Sequence, residues 1–150
     1  MQIAKPEVIV VGSGGLASEF ICYFAKQVKI VGCLTKKKEE AEKFGKTIKL
    51  LPTDLSLKNA PSDNIIIAIS SPETKRLIYS EFKDKGFKFP SLIHSSSIVS
   101  ETAELKEGVI INPMCMVGPR VSIGSCVYIN YQVGIAVSYT HLRAHETVVH

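Results

Sequence analysis

The sequence predicts an α/β protein of two parts: a Rossmann-like N-terminal domain over residues 1–90 and the start of a parallel β-helix over residues 91–136. In the first part, short β-branched runs alternate with segments of helical character, a pattern typical of a parallel sheet covered by helices. In the second part, aliphatic residues recur every six positions, a period that fits neither an α-helix nor an ordinary strand.

A strand, a glycine turn, a helix and a second strand open the first part. Glu7–Gly12 is a near-continuous apolar run, as expected of a parallel strand that is buried on both faces. The turn at residues 12–15 (GSGG) precedes a predicted helix at Leu16–Gln27 and a strand at Val28–Leu34. Glycines let the backbone approach an anion, and the helix start behind them offers free N–H groups. A tight turn without a ligand is the alternative interpretation.

The glycine turn matches the dinucleotide-binding fingerprint only in part. Ala17 stands at the place of the third glycine, which the fingerprint tolerates. However, Thr35 and Lys36 follow the second strand, at the place where the fingerprint has a carboxylate that hydrogen-bonds the ribose. NAD binding is therefore disfavoured.

The rest of the domain continues the alternation with a short charged helix, a third buried strand, a longer helix and a last strand, at Lys37–Phe44, Asn64–Ser70, Pro72–Lys85 and Phe87–His94. The run Lys36–Lys38 predicts a solvated loop or helix start. A nucleic-acid platform would need a broader basic stripe with aromatic residues, so no nucleic-acid partner is expected.

Two interlocked series with a period of six run through the second part. The first consists of Val99, Leu105, Ile111, Val117, Ile123, Ile129 and Ile135, and the second, two positions earlier in each hexad, of Ala103, Val109, Cys115, Val121, Val127 and Val133. A strict six-residue repeat is typical of a β-helix, in which each hexad makes one flat face of a coil. We expect the aliphatic residues to stack inside the coil.

Composition and cysteine spacing narrow the class of protein. The chain is 45% hydrophobic and 21% charged, with a formal charge of +4, which is a globular composition. It shows no signal peptide and no apolar run near the roughly 18 residues of a membrane span. The four cysteines lack metal-type pairing, so we expect reduced thiols in a cytoplasmic protein without a membrane partner or metal.

Residues 7 to about 135 resemble the sialic-acid and bacillosamine-type sugar acetyltransferases, which belong to the hexapeptide-repeat, left-handed β-helix superfamily. The motifs that carry the resemblance are the G-x-G-G turn, LIH at Leu92–His94, EGVIINP at Glu107–Pro113 and the hexads. The resemblance implies a homotrimer for the full-length protein, with acetyl-CoA as co-substrate in the cleft between neighbouring coils. It also implies a histidine that acts as general base on a nucleotide-linked amino or hydroxy sugar.

The resemblance also implies a substrate site in the N-terminal domain. Carried over to this chain, its residues are Ser13, Gly14, Gly15, Thr35, Lys36 and Ser70. Two positions depart from the family: acidic residues usually stand where this chain has Thr35 and Lys36, and a glycine commonly stands where it has Ser70. His94 is expected to be a structural residue at the entrance to the β-helix, and Cys115 and Cys126 are expected to pack.

The six-residue pattern stops after Ile135. The next places of the two series hold Tyr139, His145, His141 and Thr147, none of them aliphatic. Residues 137–147 (VSYTHLRAHET) match one reading frame of a common transposase-type sequencing adapter, so we interpret residues 137–150 as a non-native tail. A metal-binding cluster of His141, His145 and His150 is the alternative, but no acidic or cysteine partner accompanies it.

The resemblance places the catalytic histidine directly after the segment aligned with Asn130–Ala136. Val137 and Ser138 stand there instead, so no catalytic residue is assigned and we expect this chain to be inactive. Two other functions stay open: a nucleotide-binding oxidoreductase, and a binding-only or regulatory module that ends in a natural short β-helix.

Overall fold

The computed structural model describes residues 4–45, 47–137 and 141–149, and it divides them into an α/β unit and a coil of very short parallel strands. The α/β unit consists of β1 Glu7–Val11, α1 Gly15–Phe24, β2 Lys29–Leu34, α2 Lys38–Ala41, a single 3₁₀ turn at Glu42–Phe44, β3 Ile65–Ile67 and α3 Pro72–Asp84. Its three strands form a parallel sheet in the order β2-β1-β3. The first two strands and the helices predicted from the sequence are confirmed, with ends that agree within three residues. The third predicted strand, Asn64–Ser70, is confirmed in its central part, Ile65–Ile67.

Helices cover both faces of this sheet. On one face, Phe20 and Phe24 of α1 are fully buried in a core that includes Val8. On the other face, Phe82 of α3 packs in a core that includes Ile9. Alternate residues of β1 therefore point into two different cores, which explains why its sequence is apolar from Val8 to Val11.

The predicted last strand at Phe87–His94 is wrong as a member of this sheet. Lys88 makes one isolated bridge to Asn64, and Leu92–Ile93 pairs with the coil instead. Pro90 lies between these two pairings and has no N–H to donate to a ladder. The segment is consequently divided between the α/β unit and the coil.

Ten two-residue strands of the described chain build the coil. They are β4 Leu92–Ile93, β5 Ile98–Val99, β6 Glu104–Leu105, β7 Ile110–Ile111, β8 Met116–Val117, β9 Ser122–Ile123, β10 Tyr128–Ile129, β11 Gly134–Ile135, β12 His141–Leu142 and β13 Thr147–Val148. They stack into three parallel sheets, β4-β7-β10-β13, β5-β8-β11 and β6-β9-β12. Both aliphatic series form one core inside the coil, which confirms the β-helix predicted from the hexads.

One corner residue in each of five consecutive hexads has a left-handed backbone. These residues are Gly108, Met114, Arg120, Cys126 and Gln132, with φ angles of 74°, 62°, 61°, 57° and 57°. Their spacing of six matches that of the aliphatic series, so the same corner is repeated in each hexad. Only Gly108 adopts this conformation without a Cβ penalty.

The outer faces of the three coil sheets differ in character. Leu92, Ile110 and Tyr128 are stacked in register on one face, and Ile110 and Tyr128 are buried in the α1 core. The second face carries Ile98 and Met116, which are 64% and 61% exposed. The third carries polar residues at the matching positions: Glu104, Ser122 and His141. The α/β unit thus covers the first face and leaves an apolar and a polar face open.

The coil continues beyond Ile135, contrary to the expectation that the repeat ends there. The strand β12 pairs with β9, and β13 pairs with β10. Leu142 and Val148 pack against the coil's core. Leu142 follows Ile135 by seven positions rather than six, so one extra residue in the repeat places Leu142, and not His141, at the inward position. The non-native origin of residues 137–150 stays a prediction. Ser138, Tyr139 and His150 lie outside the described residues.

Two further expectations concern metals and membranes. Among the described residues, no group of three or more His, Cys, Asp or Glu side chains could hold a metal ion. No helix in the described part of the chain has the length and apolar character needed to cross a bilayer.

Candidate functional site

A cleft of about 940 Å³ opens at the carboxyl ends of β1, β2 and β3. This edge of an open parallel sheet is where ligands bind in α/β proteins, because the loops that leave the strands converge there. All six predicted substrate-site residues line the cleft: Ser13, Gly14, Gly15, Thr35, Lys36 and Ser70. The structure therefore brings the predicted residues together, while their contact with a substrate stays a prediction.

The glycine turn forms the floor of the cleft, and its glycines have different roles. Gly12 has φ of 122°, and a Cβ there would lie 2.6 Å from the carbonyl oxygen of Ala68, the residue directly after β3. A Cβ on Gly14 or Gly15 would meet no atom within 4 Å. Gly12 thus allows close packing of the turn on the sheet, whereas Gly14 and Gly15 leave open space for a ligand.

The start of α1 faces this open space. Gly14 is the N-cap residue, and no side chain makes a capping hydrogen bond to the helix. The first N–H groups of an uncapped helix and the positive end of its dipole favour an anion. Phosphate groups are among the anions that bind at such helix starts in other proteins.

A hydrogen-bonded group of three side chains stands beside the turn. The Ser13 hydroxyl, which is nearly buried, donates to Glu40 Oε2 at 3.0 Å and lies 2.8 Å from Thr35 Oγ1. The backbone N–H of Lys37 donates to the same Thr35 oxygen at 3.0 Å. Sequence reasoning missed Glu40, because it looked for an acid only at the end of β2. The acidic first turn of the predicted Lys37–Phe44 helix was the signal that could have found it.

The two lysines and Ser70 complete the polar side. Lys36 lines the cleft, and Lys37 lies 3.7 Å from Glu40 in an exposed ion pair. Ser70 is exposed three residues after β3, and its carbonyl oxygen accepts a hydrogen bond of 3.3 Å from the Thr147 hydroxyl. Both lysines can supply positive charge close to the glycine turn.

Helix α3 forms the opposite, more apolar wall. Leu77 and Ile78 line the cleft there, and Leu77 is 70% exposed. The helix begins with two sequence signals: Ser71 caps it by accepting a 3.3 Å hydrogen bond from the Thr74 N–H, and Pro72 occupies the first turn. An apolar wall opposite polar groups suits a ligand with both kinds of surface.

Contacts on the other side of α3 fix it to the coil. Lys75 is fully buried, and its Nζ donates to Thr147 Oγ1 at 2.8 Å and to the carbonyl oxygens of Glu146 and Cys126 at 3.2 and 3.4 Å. Burial lowers the pKa of this lysine to about 8. The α3 wall of the cleft is therefore fixed to the coil through an amino group that is buried away from water.

A second anchor lies further along α3. The Tyr79 hydroxyl and the Lys83 ammonium both donate to Glu107 Oε1, the latter at 2.7 Å. The hydrogen bonds from Lys83 and Tyr79 lower the pKa of the Glu107 carboxyl. This carboxylate belongs to the EGVIINP motif, so that motif joins the coil to the cleft wall.

His94 and the coil cysteines make structural contacts. The His94 ring meets Phe24 edge-on at 5.5 Å, and its Nδ1 lies 2.8 Å from Ser96 Oγ. Cys115 and Cys126 are buried, and burial raises the pKa of the Cys126 thiol to about 12. A thiol that stays protonated is a poor nucleophile, in agreement with the predicted packing role.

No family model matches the chain, but solved acetyltransferase structures share its fold. A histidine-to-alanine mutant of GDP-perosamine N-acetyl transferase from Caulobacter crescentus, in complex with CoA and GDP-perosamine, matches with a TM-score of 0.79 at 20% identity, over 98% of this chain and 70% of that one. The acetyltransferase domain of PglB from Neisseria gonorrhoeae gives 0.75 at 20% identity, over 95% and 70%. PerB from Caulobacter crescentus, in complex with CoA and GDP-perosamine, gives 0.61 at 20% identity, over 99% and 91%. At this level of identity the likeness establishes a shared fold.

Proposed function

We propose that this chain is part of an acetyl-CoA-dependent acetyltransferase that acts on a nucleotide-linked amino or hydroxy sugar. In this proposal the α/β unit is Rossmann-like and holds the nucleotide sugar, and the coil is a left-handed β-helix. The observation that carries the proposal is the combination of a cleft at the carboxyl edge of the sheet with an attached parallel coil, in a fold shared over 98% of the chain with an acetyltransferase bound to CoA and GDP-perosamine.

The cleft supplies groups for each part of such a substrate. The uncapped start of α1 at Gly14 and Gly15 suits the diphosphate, and Lys36 adds positive charge next to it. Ser13, Thr35 and Ser70 offer polar side chains, and the wall at Leu77 offers apolar surface to a base or sugar ring.

The transfer itself needs groups on the coil. The sugar's amine or hydroxyl attacks the thioester carbonyl of acetyl-CoA, a base takes its proton, and the CoA thiolate leaves. A positioned base typically contributes about 10²–10⁴-fold to such a step. Val137 follows Ala136 where the resemblance implies that base, and His141 is exposed on the coil's polar face. The proposal therefore assigns substrate binding, and no catalytic residue, to this chain.

Trimer formation and a cytoplasmic location are parts of the same proposal. Ile98, Met114 and Met116 are 64%, 63% and 61% exposed near the second face of the coil. Three large apolar side chains in one region are typical of a protein–protein contact, here a second and third copy of the chain. The four free cysteines suit a reducing compartment.

Isothermal titration calorimetry on the whole chain tests the binding function. UDP- and GDP-linked amino sugars should bind more tightly than NAD, and equal or tighter binding of NAD would favour the oxidoreductase alternative. Gly14→Asp should abolish nucleotide binding without unfolding the protein, because φ of −85° accepts aspartate and the new carboxylate would occupy the anion position. Ser95→Asp adds the same charge at an exposed position outside the cleft and should bind normally.

A further inference from the structure

We infer that Glu40 recognises the ribose of the bound nucleotide, its carboxylate accepting a hydrogen bond from the ribose 2′-hydroxyl so that the cleft selects ribose over 2′-deoxyribose. The inference rests on the proposed nucleotide binding and deepens it. The sequence lacks an acid at the end of β2, where many nucleotide-binding α/β folds grip the ribose. The structure supplies one from α2 instead.

The position of the Glu40 carboxylate is fixed by its partners. Its Oε2 accepts the Ser13 hydrogen bond at 3.0 Å, and its Oε1 lies 3.7 Å from Lys37 Nζ. An ionised carboxylate has about four lone-pair sites, and Ser13 fills one of them. The side chain is 42% exposed and lines the cleft, so further sites are open to a ligand.

The order of hydrogen bonds shows what kind of ligand group fits. Thr35 Oγ1 accepts the Lys37 N–H, so its own proton is free to go to Ser13 Oγ, and the Ser13 proton goes to Glu40. This series of hydrogen bonds ends at the Glu40 carboxylate, which can only accept hydrogen bonds and repels anions. Neutral hydroxyl groups therefore fit beside Glu40, while a phosphate fits only at the start of α1.

This order also gives Ser13 a more specific role. Its single proton is committed to Glu40, so it acts as a positioning residue for the carboxylate rather than as a donor to phosphate. An exposed ion pair with Lys37 is a simpler explanation of the position of the Glu40 side chain. Exposed ion pairs contribute little to stability, and this one does not explain why the buried Ser13 hydroxyl donates to the same carboxylate.

The test compares each nucleotide with its 2′-deoxy form on the whole chain. The probes are UDP and 2′-deoxy-UDP, and GDP and 2′-deoxy-GDP, titrated calorimetrically into the wild type, Glu40→Ala and Glu39→Ala. Glu39 is the matched control, since it is an acid on the same helix that is exposed and lies outside the cleft. Circular dichroism confirms that each variant is folded.

We expect the wild type and Glu39→Ala to prefer the ribose form by about 10-fold or more, the effect of a hydrogen bond to a charged group. Glu40→Ala should reduce that preference to less than about threefold, while the 2′-deoxy forms bind it as well as they bind the wild type. Nucleotide binding with an unchanged ribose preference in Glu40→Ala would overturn this inference and leave the proposed function intact. No binding of any nucleotide to the wild type would overturn both.

Discussion

Replacing Gly12 by alanine tests whether the glycine turn is fixed by packing on the sheet. The added Cβ would lie 2.6 Å from the Ala68 carbonyl oxygen and 3.2 Å from an Ile69 side-chain carbon, on a residue with φ of 122°. A non-glycine residue in such a conformation costs about 1–3 kcal/mol. The contact with Ala68 adds to that cost, because the struck atom is backbone and cannot rotate away.

The strain cannot be relieved locally. Gly12 donates to the Leu34 carbonyl at 2.9 Å, and Ala68 donates to the Val11 carbonyl at 2.9 Å, so a shift at the turn disturbs both neighbours of β1. We expect Gly12→Ala to lower the free energy of unfolding by about 2–4 kcal/mol. Gly14→Ala is the control, with φ of −85° and no atom within 4 Å of the new Cβ, and should lower stability by no more than about 1 kcal/mol, the effect of alanine at an N-cap.

Urea unfolding followed by circular dichroism measures both variants, and the slope of the transition shows whether the unfolded state has changed. Equal stability of Gly12→Ala and Gly14→Ala would show that the close approach to Ala68 does not require a glycine at position 12.

Four other changes test separate parts of the structure. Ile123→Ala should cost about 2–5 kcal/mol inside the coil, against less than about 0.5 kcal/mol for the exposed Ile98→Ala, in the same urea assay. The pKa of Lys75 is about 8 in the folded protein and 10.5 in the unfolded chain, so between these pH values the unfolded chain binds one more proton and the free energy of unfolding rises with pH. The difference in this free energy between the wild type and Lys75→Met should therefore grow by at most about 3 kcal/mol over the range. A difference that stays constant with pH would show that the ammonium group is solvated. The chain should transfer no acetyl group from acetyl-CoA to nucleotide-linked amino sugars, and turnover that disappears in His141→Ala would contradict the assignment of no catalytic residue. Met116→Lys should lower the mass measured by light scattering if the second coil face joins copies of the chain, and an unchanged trimer would place the contact elsewhere.

The hexads could be predicted from the sequence because each inward position has the same environment. Ile111, Ile123 and Ile129 are all fully buried, so the packing requirement repeats with the chain's own period. The first βαβ unit was predictable for a similar reason, since β1 is covered on both faces. In both cases the burial of a segment can be inferred from the apolar pattern of that segment alone.

Features that depend on distant parts of the chain were not predicted. A search for a strict period of six misses Leu142, because one inserted residue shifts the register, although the side chain still enters the core. Glu40 reaches the glycine turn through the hydrogen bond to Ser13, 27 positions earlier. The division of residues 87–94 depends on which partner, Asn64 or β7, each half meets.

A short stretch of the coil, residues 126–129, contributes to all three hydrophobic cores. Cys126 packs in the α3 core, Tyr128 packs in the α1 core, and Val127 and Ile129 pack inside the coil. The boundary near residue 90 therefore separates two stretches of sequence but not two cooperative units, and residues 1–90 alone would expose the surface that Tyr128 covers. Heating should give one endotherm with equal calorimetric and van't Hoff enthalpies. By linkage, a nucleotide that touches only the cleft should also raise the melting temperature of the coil.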